Sequence, residues 1–134
     1  MNKQQLEHTI KPLIDGLQMR SETDSPFEFF YFENTEKLPL NNEAVALLAG
    51  KTTGESITTE TLDHFFRNMV RLYPEDGEDR KQEAARFQEL LHKLKELLPD
   101  VQVYRAGDIS ITVYILGTTA QGDFAGLKTL IVET

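Results

Sequence analysis

The sequence predicts an α+β domain, a three-layer α/β/α sandwich in which helices cover both faces of a largely antiparallel sheet. Three features carry this expectation. The run Phe27, Glu28, Phe29, Phe30, Tyr31, Phe32 has strand length and sets aromatic rings on both parities, so both of its faces need at least partial cover. Ala84, Phe87, Leu90, Leu91, Leu94, Leu97 and Leu98 keep the helical period until Pro99 ends it. From Val101 the period drops to two, through Val103 and then Ile109, Ile111, Val113 and Ile115.

The elements follow in order. Leu6, Ile10, Leu13, Ile14 and Leu17 share one face of a first helix, with Pro12 inside it as an expected kink and Gly16 near its end. After the polar stretch Ser21 to Ser25, Pro26 opens the aromatic strand. Residues Asn42 to Ala49 read as a short helix, capped by Asn41 or Asn42 and stopped by Gly50. A Thr- and Ser-rich connection leads to a helix over Leu62 to Val70, capped by Thr59 or Thr61, with Leu62, Phe65, Phe66 and Met69 as its apolar stripe. Tyr73 to Asp79 holds Pro74, Gly77 and four acidic residues and reads as an exposed loop. The long helix follows, then a hairpin turning at Ala106, Gly107 and Asp108, a loop over Gly117 to Gly126, and a last strand over Leu127 to Val132. Residues 1–134 are expected to form one domain, without internal repeat or linker.

Composition narrows the function classes. Hydrophobic residues make up 40% and charged residues 27% of the chain, near globular averages, so a packed core is expected. Cysteine is absent, which removes disulfides and thiolate chemistry and suits reducing cytosol. No apolar run reaches the roughly 18 residues of a membrane helix, and the first ten residues do not resemble a signal peptide. A cytoplasmic protein, off the membrane, is the expectation. The formal charge of −8 opposes direct nucleic-acid binding, which depends on Lys and Arg neutralising phosphates. The same charge suits docking onto a basic or metal-loaded cleft built for nucleic acid.

Catalytic constellations are missing. His8, His64 and His92 each fall on a predicted helix without zinc-binding spacing, and the Asp63–His64 and Glu7–His8 neighbours point to different helix faces. The Gly117–Gly126 stretch lacks a phosphate-loop ending, and Glu75, Asp76, Glu78 and Asp79 lack the ligand spacing of a calcium loop. Carboxylate pairs such as Glu22 with Asp24, or Glu28 with Glu33, have nothing in the sequence that would tune one against the other. The chain reads as a non-enzyme with no cofactor of its own.

Two co-linear stretches carry a resemblance. Asp15 to Phe29, DGLQMRSETDSPFEF, and Phe87 to Thr134, from FQELL through QVYRAGDISITVYILGTTAQGDFAGLKTLIVET, resemble the nuclease A inhibitor family. The Ser-Glu-x-x-x-Pro-Phe-Glu segment at Ser21–Glu28 and the Val-Glu-Thr terminus are the distinctive parts. The resemblance implies a three-layer α/β/α sandwich that inhibits a secreted, sugar-non-specific, metal-dependent nuclease by plugging its active site.

Within that family, a Glu of the Ser-Glu segment and the C-terminal Thr approach the nuclease's catalytic magnesium. Carried over, these roles fall on Glu22 and Thr134, which would act as metal-directed groups only inside the complex. Thr23, Asp24 and Ser25 are the implied rim contacts, with Pro26 and Phe27 stiffening the segment. Relatives can carry a Trp in the loop before the long helix, whereas this chain has none; Tyr73 is the substitute anchor, with Glu75 and its acidic neighbours facing basic groups at the cleft rim. The expected partner is a ββα-metal nuclease bound one to one by a free monomer. A family member retuned to another protein partner is the alternative.

Overall fold

The computed structural model describes residues 1–51 and 57–133. Helix α1 spans Lys3–Ile14 and buries Leu6, Ile10 and Ile14. Its N-terminus closes with a capping box: Asn2 accepts from the Gln5 amide while the Gln5 side chain accepts from the Asn2 amide, satisfying two donors that the first turn leaves orphaned. Pro12 lies inside the helix.

Two short strands then form a hairpin absent from the sequence expectation. β1 (Gln18–Arg20) pairs antiparallel with β2 (Asp24–Pro26), setting Met19 opposite Ser25. Both of these middle residues are buried and their neighbours exposed. Pro26 therefore ends this hairpin instead of opening the aromatic strand, and Phe27 is a buried residue between the two, packed against Phe66 and Phe87.

β3 (Glu28–Phe32) is an edge strand. The five-stranded sheet runs β3-β7-β6-β5-β4, antiparallel throughout, with β4 at Ile57–Glu60, β5 at Gln102–Ala106, β6 at Ser110–Thr118 and β7 at Phe124–Val132. The expected β5-β6-β7 meander is present, but β6 runs to Thr118 and β7 begins at Phe124, so the intervening loop is far shorter than 117–126. Ile109 sits in the β5–β6 turn and is 61% exposed instead of extending the strand. β4 occupies the end of what reads in sequence as a Thr- and Ser-rich connection; residues 52–56 of that connection lie outside the described residues.

α2 (Asn42–Ala49) is capped by Asn41, whose side chain accepts from the Ala44 amide, and is stopped by Gly50 in the left-handed conformation. The expected helix over 62–70 is two short helices, α3 (Leu62–Phe65), capped by Thr61, and α4 (Arg67–Val70). They break at Phe66, which is fully buried against Phe27, Phe65 and Phe87; packing sets the break where no Gly or Pro marks it. α5 (Glu78–Leu97) starts two residues inside the stretch read as loop, placing Glu78 and Asp79 in its first turn, where acidic groups complement the helix dipole.

Alternation sorts the sheet into two faces. Val103, Ile111, Val113, Ile115, Leu127 and Ile131 form one core with α1, α3 and α5. Residues of opposite parity, Tyr104, Ala106, Tyr114 and Leu116, pack with Ile57 beneath Val45 and Ala46 of α2. The aromatic strand divides as its two parities demand: Phe29 and Tyr31 lean to the first side, and Phe30 meets Tyr114 edge-on on the second. The layers are thus helix, sheet, helix, with α2 alone, among the described residues, forming the thinner outer layer.

At the β3 end of the sheet, buried Asn34 donates to the Leu38 and Gly122 carbonyls, and the Tyr31 phenol and Asn34 amide donate to Asp123. These donors, aided by nearby Lys37, hold the Asp123 carboxyl below its ordinary pKa. A depressed carboxyl adds stability above the usual aspartate range and loses it as pH falls through the lowered value. Asp123→Asn should therefore cost about 1 kcal/mol at neutral pH, with the gap to the parent closing in acid. Urea denaturation at neutral and acidic pH checks this; a gap independent of pH would refute it.

Candidate functional site

Glu22 sits at the tip of the β1–β2 hairpin. The tip is closed by Ser21, whose amide and hydroxyl both donate to the Thr23 carbonyl at 3.1 and 3.0 Å. The same segment is sewn to the end of β7: the Glu22 amide donates to the Val132 carbonyl at 3.2 Å, and the Val132 amide donates to the Ser21 hydroxyl at 3.0 Å. One base of the hairpin is fixed as well, because the Thr129 hydroxyl donates to the Pro26 carbonyl. The Ser-Glu segment and the end of the last strand therefore share one surface. Thr134 lies outside the described residues.

Of the other residues singled out from sequence, Thr23, Asp24, Tyr73 and Glu75 are exposed. Ser25 is not: at 8% exposure its side chain belongs to the underside of the hairpin, where β2 alternation directs it. Tyr73 is 50% and its neighbour Leu72 46% exposed, on a loop with its own internal bracing. The Tyr73 amide donates to Asp76, and Arg80 on α5 donates to the Asn68 and Arg71 carbonyls at 2.9 Å each, tying off the end of α4. Glu83, one turn along α5, meets Arg20 of β1 at 3.0 Å and lies 3.8 Å from Arg80. One helix thus steadies both the hairpin and the Tyr73 loop.

A cleft of about 450 Å³ lies beside the hairpin tip, bordered among others by Met19, Glu22, Glu60, Arg67, Arg105 and Glu133. Its walls hold an ion network that sequence reasoning missed. Arg105 donates to Glu60 at 3.2 Å and to Glu133 at 2.8 Å, and the second Glu60 oxygen lies 3.2 Å from His64 Nδ1. Burial works against the guanidinium charge, but the bonds to Glu133 and Glu60 outweigh it and raise the Arg105 pKa above its usual value. The signal was available: Arg105 falls on the parity of Val103, where the alternation calls for an apolar side chain.

Among the described residues, no group of three or more His, Asp or Glu side chains is arranged to hold a metal, and no helix is long and apolar enough to cross a membrane. His8 is exposed; His64 and His92 sit at the surface, His64 beside Glu60 at the end of β4 and His92 beside Glu96 one turn along α5. The family model described as nuclease A inhibitor-like protein matches residues 4–134, essentially the whole chain. No curated protein matches the chain.

Proposed function

Because the chain belongs to the nuclease A inhibitor-like family, we propose that it blocks a sugar-non-specific, magnesium-dependent DNA and RNA nuclease of the ββα-metal class by plugging its active site. The observation that supports this reading is the pair of hydrogen bonds joining the Ser21–Glu22 tip to Val132, which sets Glu22 beside the end of β7, the strand that leads towards Thr134. Magnesium takes hard oxygen ligands, normally one or two carboxylates with substrate phosphate and water. Glu22 and the terminal carboxyl or hydroxyl of Thr134 supply such oxygens where the phosphate would bind, so the inhibitor mimics the anion it excludes. It performs no chemistry and holds no cofactor.

The rest of the surface fits that task. The net charge of −8 favours encounter with a cleft built for nucleic acid. Thr23 and Asp24 flank the plug at the rim, while Ser25 supports the hairpin from beneath. Tyr73 provides an amphipathic anchor and Glu75 a charged rim contact on the braced α4–α5 loop. A one-to-one complex of a monomeric inhibitor would bury about 1,600 Å² in total, the size usual for enzyme–inhibitor pairs.

The test is titration into magnesium-dependent nuclease assays with purified enzymes of this class. Activity should fall stoichiometrically on both DNA and RNA, and adding three residues after Thr134 should weaken inhibition about tenfold or more by displacing the terminal carboxyl. No inhibition of any such nuclease would discard the reading. A second reading, a family fold retuned to another protein partner, is favoured only by the missing loop Trp, and that negative result would leave it standing.

A further inference from the structure

We propose that Arg105 is a positioning residue that holds the chain end in its inhibitory direction, by clamping Glu133 against the sheet. This rests on the reading of Glu22 and Thr134 above. Arg105 stands on β5, an interior strand, on the face packed under α1, α3 and α5. Its side chain is 22% exposed, on the parity of Val103 and directly between Val113 of β6 and Thr58 of β4. A charge at such a position costs desolvation, which only close opposite charges offset.

Glu60 of β4, 17% exposed, already supplies one such charge as the diagonal cross-strand neighbour. A purely structural arginine would need no more. The second arm of the fork nevertheless crosses β6 and reaches 2.8 Å from Glu133, a half-exposed side chain beyond the last residue of β7. The Glu133 amide continues the ladder by donating to the Ile109 carbonyl at 2.8 Å. Backbone and side chain of Glu133 are therefore both held, immediately before the residue on which the proposed mechanism ends. The planar guanidinium suits this bridging, because its two terminal nitrogens address the two carboxylates in a fixed fork, whereas an ammonium offers its three donors from one freely rotating nitrogen.

The experiment compares the parent protein with Arg105→Gln and with Glu133→Gln, which leaves the Arg105–Glu60 pair intact and so avoids a stranded charge. Each variant, once shown to melt cooperatively, is titrated against an inhibited nuclease, alone and on a chain extended by three residues after Thr134. In parallel, the heteronuclear NOE of the Thr134 amide is measured in the free proteins. Both substitutions should weaken inhibition about tenfold, should add little on the extended chain, and should lower the Thr134 NOE. Unchanged inhibition by folded variants, or losses that add fully to that of the extension, would overturn the clamp. If the parent inhibits no nuclease, the functional reading fails and the NOE alone decides: a drop in both variants upholds the clamp, and an unchanged value removes it.

Discussion

Glu22→Gln is expected to weaken nuclease inhibition about a hundredfold, a loss of the size seen when a central interface residue is truncated. The substitution keeps the shape of the side chain and removes its charge. An amide oxygen is a poorer ligand for magnesium than a carboxylate. Glu22 is exposed at the hairpin tip, and the backbone bonds from Glu22 to Val132 and from Ser21 to Thr23 do not depend on its side chain. Thermal stability should therefore stay within about 0.5 kcal/mol of the parent. Inhibition constants measured at fixed ionic strength, beside melting curves, separate the two effects. Equal inhibition by parent and variant would remove the metal-directed mechanism. Asp123→Asn, at the opposite end of β7, is the matching control: it should lower stability and leave inhibition untouched.

Gly126→Ala should destabilise the fold by about 4 kcal/mol or more, placing it among the most damaging single substitutions. Gly126 lies in β7 between Phe30 of β3 and Leu116 of β6, with φ at +152°. A Cβ built there would run into the Ile115 carbonyl oxygen and stand 2.9 Å from the Ile115 carbonyl carbon. These are backbone atoms of a paired strand, so no side chain can swing aside to make room. Urea denaturation should show a sharply lower midpoint, or a chain that no longer folds; a midpoint near that of the parent would contradict the strand geometry.

The parts of this fold that could be read from sequence are those where many residues repeat one period. α5 offers five buried apolar residues at helical spacing, and β6 alternates over Ser110–Val113 before a continuous buried run to Gly117, as a strand covered on both faces does. β1, β2 and β4 are three or four residues long with one buried side chain apiece, which is too little to establish any period. Their strand character comes from pairing and not from any pattern of their own: β4 with β5, which is remote in sequence, and β1 with β2 across a three-residue tip. The break at Phe66 was hidden for a related reason, since the stripe of Leu62, Phe65 and Met69 fits one helix or two. Glu22 and Thr134 were legible only through the Ser-Glu and Val-Glu-Thr segments, because a solvated acid and a chain end have no periodic signature. Arg105 could have been found as a charge in an apolar register.

The bond between Ser21 and Val132 joins positions 111 residues apart, and β7 enters the sheet between β3 and β6. During synthesis, everything through β6 can emerge from the ribosome while β3 still has no strand beside it and the hairpin tip has nothing to lean on. Competence would then arrive in a single late event, when the final strand slots into place, instead of growing with chain length. A copy that lacks β7 would leave β3 unpaired and the hairpin tip without its support.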